Sequence, residues 1–188
     1  MAKKILMLLG WQIIGQLPEP RKCVVVAAPH TSNWDFLYLF LVSKIIGTRI
    51  HWMGKEELFR GPLGPISRAL GGIPVNRGKS TNLVMQMKQA FAENDELVLA
   101  VPPAATRRHT DYWRSGFYYI ALEANVPITL GFVDYGRKHV GFGPSFMPTG
   151  DITADMDIAR AFYKDIQGKF PANKSAIQLK QEIAPNKN

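Results

Sequence analysis

The stretch 24-VVVAAPHTSNWDFLYLFLVSKII-46 joins a β-branched run to a long apolar segment through a short polar turn. The run Val24–Ala28 is typical of a buried strand, and the segment from about Asn33 to Ile46 is helix-like. A strand followed directly by a helix is the unit from which α/β domains are built. The stretch therefore predicts an α/β fold.

The rest of the chain repeats this alternation of strand-like and helix-like runs. The further strands are predicted at Arg49–Met53, Ile73–Asn76, Leu97–Val101, Pro127–Tyr135 and Val140–Phe146, and the further helices at Thr81–Glu93, Tyr112–Ala124 and 155–170. We expect a single α/β domain over residues 21–183, with a mixed, mostly parallel sheet flanked by helices. An apolar N-terminal segment, 1–20, precedes it, and a polar tail, 184–188, is expected to be disordered.

Composition and charge limit the classes of function. The chain has 188 residues, of which 46% are hydrophobic and 20% charged, which suits one globular domain with a substantial core. The net charge of +8 favours an anionic partner such as nucleic acid, an acidic lipid headgroup or a phosphorylated metabolite. The basic residues stand at turn positions and not in one run, so we expect no nucleic-acid partner.

The N-terminus carries an apolar segment, 5-ILMLLGWQIIGQL-17, behind two lysines. It is shorter than the roughly 20 residues that span a bilayer. Its apolar residues recur at helical spacing, which predicts an apolar or amphipathic helix that lies on a membrane surface or packs on the domain's own core. Mean hydropathy of −0.08 argues against an integral protein. We expect a cytoplasmic protein that binds peripherally to the inner face of the cell membrane.

The single cysteine, Cys23, excludes an internal disulfide and fits a reducing compartment. Its place in an apolar run predicts a buried thiol and not a nucleophile. No zinc-like spacing relates it to the four histidines, so we expect no metal site. A hydrolase that uses Ser32 is disfavoured because Gly-x-Ser-x-Gly is absent.

The turn 29-PHTSNWD-35 contains a histidine and an aspartate five positions apart. On a strand–turn–helix geometry, His30 lies in the turn and Asp35 in the first helical turn, where its carboxylate reaches back to the imidazole. Such a pair fixes the tautomer of the ring and stabilises its protonated form, so the second ring nitrogen can deprotonate a hydroxyl. The alternative is a hydrogen-bonded loop histidine beside a capping aspartate. The polar residues 31-TSN-33 are expected to cap the helix.

The stretch 71-GGIPVNRGKST-81 looks like a phosphate-binding loop but fails on spacing. A P-loop needs Gly-x-x-x-x-Gly-Lys-Ser/Thr, and the residue five before Gly78 is Ile73. Pro74 also removes a backbone N–H from the loop. We expect no nucleotide at this stretch.

Several segments, taken in chain order, resemble the lysophospholipid acyltransferases, the glycerolipid acyltransferases that make phosphatidic acid. The similarity covers roughly residues 22–150. His30 and Asp35 match the family's His-x-x-x-x-Asp motif, and Gly72 and Arg77 match its second block. Residues 126-VPI-128 match its fourth block. The resemblance implies that His30 and Asp35 are catalytic and that Arg77 holds the phosphate of the acceptor.

The third block of the family reads Pro-Glu-Gly-Thr-Arg, whereas this chain reads 103-PAATR-107. The resemblance assigns Thr106 and Arg107 to phosphate binding, together with Lys55, which follows the second predicted strand in the sequence. Ala104 and Ala105 depart from the pattern, because the carboxylate is missing and alanine resists the positive φ that glycine adopts freely. We expect reduced activity or an altered acceptor.

The resemblance implies an enzyme of the 1-acylglycerol-3-phosphate O-acyltransferase type. Such an enzyme moves an acyl group from a thioester to a lysophospholipid such as lysophosphatidate. The co-substrate is the acyl thioester of coenzyme A or of acyl carrier protein, and no cofactor is implied. Backbone N–H groups at the start of the following helix are expected to stabilise the oxyanion. The implied partners are the acyl donor, the lysophospholipid and an anionic membrane surface. The alternative is a protein that binds anionic lipid or acyl chains without turnover.

Overall fold

The computed structural model describes residues 2–75 and 80–183, of which Ser80 and Thr81 are described by their backbone alone. The helices are α1 (Ala2–Leu8), α2 (Trp34–Ile46), α3 (Gly64–Ala69), α4 (Ser80–Glu93), α5 (Gly116–Ala124), α6 (Ile152–Tyr163) and α7 (Lys180–Ile183). The strands are β1 (Gln12–Ile14), β2 (Lys22–Ala27), β3 (Ile50–Lys55), β4 (Gly72–Val75), β5 (Leu97–Val101), β6 (Ile128–Asp134) and β7 (His139–Phe146). The strands and helices predicted for the α/β domain are present. The ends differ most for α6, which was predicted over 155–170.

The strands of the described residues form one seven-stranded sheet in the order β1-β7-β6-β2-β5-β3-β4. The five strands from β6 to β4 pair in parallel, and β7 is antiparallel to β6. This confirms the predicted α/β domain with a mostly parallel sheet. Because parallel strands end on the same side of a sheet, the carboxyl ends of β2, β3, β4, β5 and β6 all lie on one side, where α/β proteins bind ligands.

Both faces of the sheet are covered, which explains why its strands are almost continuously apolar. Along β2, Val24 and Val26 contribute to the core shared with helices α4, α5 and α6. The alternate residues, Cys23 and Val25, belong to a second core with α1 and α2. Cys23 is fully buried, which confirms the predicted buried thiol, and burial raises the pKa of the thiol to about 11.

The N-terminal segment differs from the single apolar helix predicted over 5–17. Helix α1 ends at Leu8, Gly10 has a φ of 76°, and residues 12–14 form a strand that pairs in parallel with β7. A residue with positive φ stops a helix, and the open edge of β7 supplies hydrogen-bond partners for the extended chain. The prediction of one continuous helix was wrong.

No described helix has both the length and the apolar character needed to span a bilayer. The predicted disordered tail, 184–188, lies outside the described residues.

Candidate active site

The predicted histidine–aspartate pair is present in the turn between β2 and α2. Nδ1 of His30 lies 3.0 Å from Oδ2 of Asp35. Because a carboxylate only accepts, Nδ1 carries the hydrogen and Nε2 keeps its lone pair. The His30 side chain is 21% exposed, so the ring is partly open to a ligand. This arrangement can take a proton from a hydroxyl.

Asp35 is buried and bound by four donors. Its Oδ2 also accepts from the backbone N–H groups of Thr31 and Ser32, each at 3.1 Å. Its Oδ1 accepts from the phenol of Tyr135 at 2.8 Å. These four hydrogen bonds fix the position of the buried carboxylate.

The start of α2 differs from the predicted capping. Ser32 caps as expected, since its Oγ accepts from the N–H of Trp34 at 3.2 Å, but Asn33 makes no side-chain capping bond. The N–H groups of Thr31 and Ser32 already serve Asp35. These two N–H groups are therefore not free to stabilise an oxyanion, and stabilisation by the other backbone N–H groups at the start of α2 stays a prediction.

Sequence reasoning missed Tyr135, which immediately follows β6. The strand order places the end of β6 beside the end of β2, and this brings together residues that are 100 positions apart. Burial, and then the hydrogen bond to Asp35, raise the pKa of the Tyr135 phenol far above its ordinary value. The phenol therefore stays protonated and acts as a donor. The sequence signal that could have identified Tyr135 is its position directly after a parallel strand, where polar residues contribute to ligand sites.

An open pocket of about 430 Å³ adjoins the turn of residues 29–35, called the His30–Asp35 turn below. It is lined by residues 31–34, residues 106–108, Lys169, Phe170 and Asn173. Three cations, Arg107, Arg108 and Lys169, face it, and none has an ion-pair partner among the described residues. The described lining contains no carboxylate. The pocket is therefore suited to an anionic group.

Of the four predicted phosphate contacts, the structure places two at this pocket and one away from it. Thr106 and Arg107 line it, but Lys55 does not. Lys55 is the exposed last residue of β3, and β5 lies between β3 and β2. Arg77 lies outside the described residues.

The fourth block, 126-VPI-128, enters the sheet at its opposite edge. Ile128 begins β6, which runs parallel to β2, and the carbonyl of Pro127 accepts from the N–H of Val24 at 3.0 Å. Val126 and Ile128 are buried. These residues therefore build the core at the start of β2, whereas the His30–Asp35 turn follows the end of β2.

The two departed positions of the third block have different surroundings. Ala104 lines a small cavity of about 20 Å³ together with His30, Asn173 and Lys174. Ala105 is exposed and adopts a φ of 54°. This is the left-handed conformation, which glycine adopts freely and alanine adopts only at a cost in free energy. Among the described residues no three metal-ligating side chains converge.

The segment after α6, residues 164–176, packs against the His30–Asp35 turn. The sequence analysis did not predict that this segment contributes to the site. Gly168 packs so closely that an added Cβ would lie 2.7 Å from Oγ1 of Thr31. The N–H of Phe170 donates to the same Oγ1 at 3.3 Å. Nζ of Lys169 lies 4.8 Å from the ring centroid of Trp34. The glycine in this segment was the only signal in the sequence, and a single glycine does not identify a partner.

The acyltransferase profile matches residues 12–129, which is more than half of the chain. The chain belongs to the acyltransferase family. This confirms the resemblance drawn from the motifs, and the enzyme type is that of an acyltransferase. The segment after α6 lies beyond the matched residues. No curated protein sequence matches the chain.

Among solved structures, this acyltransferase is similar to the crystal structure of the 1-acyl-sn-glycerophosphate (LPA) acyltransferase PlsC from Thermotoga maritima. The two share 19% identity with a TM-score of 0.50, over 79% of this chain and 67% of that one. At this identity the similarity supports the fold.

Proposed function

We propose that this acyltransferase moves a fatty acyl group from a thioester of coenzyme A or acyl carrier protein to the hydroxyl of a lysophospholipid such as lysophosphatidate. The observation that carries the proposal is the His30–Asp35 pair, held at 3.0 Å beside a pocket with three cations that have no ion-pair partner in the described part of the chain. The ring can accept a proton, and the pocket suits a phosphate. The name of the similar solved structure, an LPA acyltransferase, supports the same acceptor.

The proposed chemistry needs no covalent enzyme intermediate. Nε2 of His30 takes the proton of the acceptor hydroxyl while the hydroxyl oxygen attacks the thioester carbonyl. The tetrahedral intermediate collapses with cleavage of the carbon–sulfur bond, and the leaving thiolate takes the proton back from Nε2. Asp35 stabilises the imidazolium through Nδ1. The products are the acylated lipid and a free thiol.

The acceptor phosphate is proposed to bind in the open pocket. Arg107 offers a planar set of donors that matches phosphate oxygens, and the hydroxyl of Thr106 adds a neutral donor. Lys169 and Arg108 add two further positive charges. Lys55 and Arg77 stay proposed phosphate contacts from the family motifs.

We also propose that the enzyme works as a peripheral protein on an anionic membrane surface, on the inner face of the cell membrane. Its substrates are amphiphiles, and the net charge of +8 favours an acidic lipid surface. The end of helix α1 exposes Met7 and Leu8 to solvent, and Leu9 directly after it is also exposed; Leu8 is 87% exposed. Apolar side chains at that position can enter the headgroup region.

The test is thiol release from a long-chain acyl-CoA with lysophosphatidate as the acceptor. The unaltered chain should release thiol, and His30→Ala should reduce the rate by about 10² to 10⁴-fold at an unchanged Tm. Turnover in His30→Ala equal to that of the unaltered chain would overturn the assignment.

The third block is tested by the double change Ala104→Glu/Ala105→Gly. The cavity beside Ala104 leads towards His30 and Lys174, so a carboxylate there would meet both. We expect faster thiol release than in the unaltered chain. The matched control, Ala104→Gln/Ala105→Gly, fills the same space without charge. An equal gain in the control would assign the effect to packing or to the glycine at position 105 and not to the carboxylate.

A second candidate function is the binding of anionic lipid without turnover. It is favoured by the missing carboxylate at position 104, in a chain that keeps its cationic pocket. Retention on lysophosphatidate-containing vesicles together with absent thiol release, in both the unaltered chain and Ala104→Glu/Ala105→Gly, would select this function.

A further inference from the structure

The carboxylate of Asp35 is bound differently at its two oxygens. Oδ2 accepts from Nδ1 of His30 and from two backbone N–H groups. Among the described residues Oδ1 has one donor, the phenol of Tyr135 at 2.8 Å. Two anchored oxygens define the plane of a carboxylate, whereas one anchored oxygen leaves its rotation about the last side-chain bond free. The plane of Asp35 therefore depends on Tyr135.

Tyr135 is itself held on three sides. Its N–H donates to the carbonyl of Gln167 at 2.8 Å. Its ring meets Trp11 edge-on at 5.2 Å and Tyr38 edge-on at 5.7 Å between centroids. Edge-to-face contacts of this kind fix ring orientation as well as burying apolar area. The phenol thus approaches Asp35 from a rigid aromatic cluster formed by Trp11, Tyr38 and Tyr135.

The direction of the Asp35 carboxylate determines where the imidazole points. A base must lie within about 3 Å of the proton that it removes, and small displacements reduce the rate strongly. The His30 ring is partly exposed, and in the described structure its hydrogen-bond partner is Asp35. An unanchored carboxylate would let the ring tilt, and Nε2 would leave the productive direction.

We propose that Tyr135 is a positioning residue for acyl transfer, because its phenol holds the Asp35 carboxylate in the plane that directs Nε2 of His30 towards the acceptor hydroxyl. The inference rests on the proposed function. It assigns a third member to the histidine–aspartate pair, contributed by the turn after β6. Tyr135 does not contact the substrate and transfers no proton.

The first test compares Tyr135→Phe with Tyr38→Phe in the thiol-release assay. Both changes remove one phenol oxygen from the same aromatic cluster, but the bond to Asp35 is made by Tyr135. We expect kcat to fall about tenfold in Tyr135→Phe, with KM for both substrates unchanged, and to stay within about twofold in Tyr38→Phe. Equal losses in the two variants, at matched Tm, would overturn the proposal.

A double-mutant cycle shows whether Tyr135 acts through Asp35. In an Asp35→Asn background the carboxylate is absent, so Tyr135→Phe should add less than about twofold to the loss. A purely structural role would give the same tenfold loss in both backgrounds. Full additivity would therefore overturn the proposal.

A third measurement does not depend on turnover, so it separates this inference from the proposed function. The ¹⁵N signals of His30, assigned by comparison with His30→Gln, report which ring nitrogen carries the hydrogen. We expect the Nδ1–H form in the unaltered chain and in Tyr38→Phe, and a mixture of tautomers in Tyr135→Phe. An unchanged His30 spectrum in Tyr135→Phe would overturn the proposal even if the enzyme were active. The expected change in a protein without thiol release would support the positioning of His30 by Tyr135 and would instead contradict the proposed function.

Discussion

Ala105 shows how a single residue can oppose the fold that contains it. Its N–H donates to the carbonyl of Pro102 in a tight turn, and the turn holds φ at 54°. A side chain with a Cβ pays about 1–2 kcal/mol for this conformation. Sequence comparison alone indicated that a glycine was missing here, and the backbone of the turn explains why a glycine is suited to it.

We predict that Ala105→Gly stabilises the protein. Relief of the left-handed strain outweighs the greater backbone entropy of glycine in the unfolded chain, so the free energy of unfolding should rise by about 0.5–1 kcal/mol in urea denaturation. Ala104→Gly is the matched control, because φ at that position is not positive. The control should be neutral or destabilising, and a similar gain in both variants would contradict the explanation.

His51 on β3 predicts a pH dependence of stability. Its Nδ1 is buried without a hydrogen-bond partner among the described residues. Burial, and then the charge of Arg49, lower its pKa from 6.5. Below about pH 6.5, His51 is therefore protonated in the unfolded chain while it stays neutral in the folded chain. The free energy of unfolding consequently falls as the pH drops.

The measurement is urea denaturation between pH 7.5 and the acidic limit of solubility. His51→Gln stays neutral over this range, so its free energy of unfolding should change less steeply with pH just below 6.5 than that of the unaltered chain. Parallel curves for the two proteins would show that His51 does not cause the dependence.

Among the elements, the segment 164–176 packs against the His30–Asp35 turn and holds it in place. Nζ of Lys174 donates to the carbonyls of Tyr163, Lys164 and Ile166 at 2.7, 2.9 and 3.0 Å. These bonds satisfy the free carbonyls at the end of α6 and set the direction of the chain beyond it. The segment then places Lys169 beside Trp34 at the pocket.

We predict that Lys169→Gln weakens acceptor binding with little effect on the chemical step. Loss of one exposed positive charge at the pocket should raise KM for lysophosphatidate about fivefold, while kcat changes less than twofold. Lys164→Gln is the control, because it removes the same charge from the same segment outside the pocket lining. Equal effects of the two changes would point to general surface charge instead of a specific contact.

At the scale of the whole molecule, the order of the strands determines which turns meet. Strand β2 lies between β5 and β6, so the turns that carry His30, Arg107 and Tyr135 leave the sheet side by side. Helix α1 and strand β1 join the far side of the sheet through β7 and α2. The apolar side chains that α1 exposes are therefore attached to the same rigid body as the site.

The membrane proposal predicts that Met7→Ser/Leu8→Ser loses attachment to anionic vesicles in a flotation assay. Both side chains are exposed, so the fold should persist, whereas a deletion of residues 1–17 would also remove the buried Leu6 and Trp11. The bound fraction should fall about tenfold. Ile158→Ser, on α6 at the opposite face of the sheet, should float like the unaltered chain. Flotation of the double variant at the unaltered level would contradict a role for α1.

Prediction from the sequence succeeded where the interaction is local. The α/β class, the mostly parallel sheet and the buried Cys23 follow from apolar runs that alternate between strand and helix lengths. It failed at the N-terminus. Apolar residues continue at helical spacing past Gly10, but residues 12–14 pair with the free edge of β7 and form a strand. Spacing of apolar residues does not report which sheet edge is free.

Local chain geometry is enough to form the His30–Asp35 pair, because a strand, a turn and a helix in succession bring the two residues together without help from the rest of the chain. The surroundings of the pair depend on the packing of distant segments. Tyr135 contacts Asp35 across 100 residues, and Lys169 contacts Trp34 across the His30–Asp35 turn, through strand order and chain packing. Such contacts depend on which elements become neighbours when both faces of the sheet are buried, and local spacing carries no record of that choice.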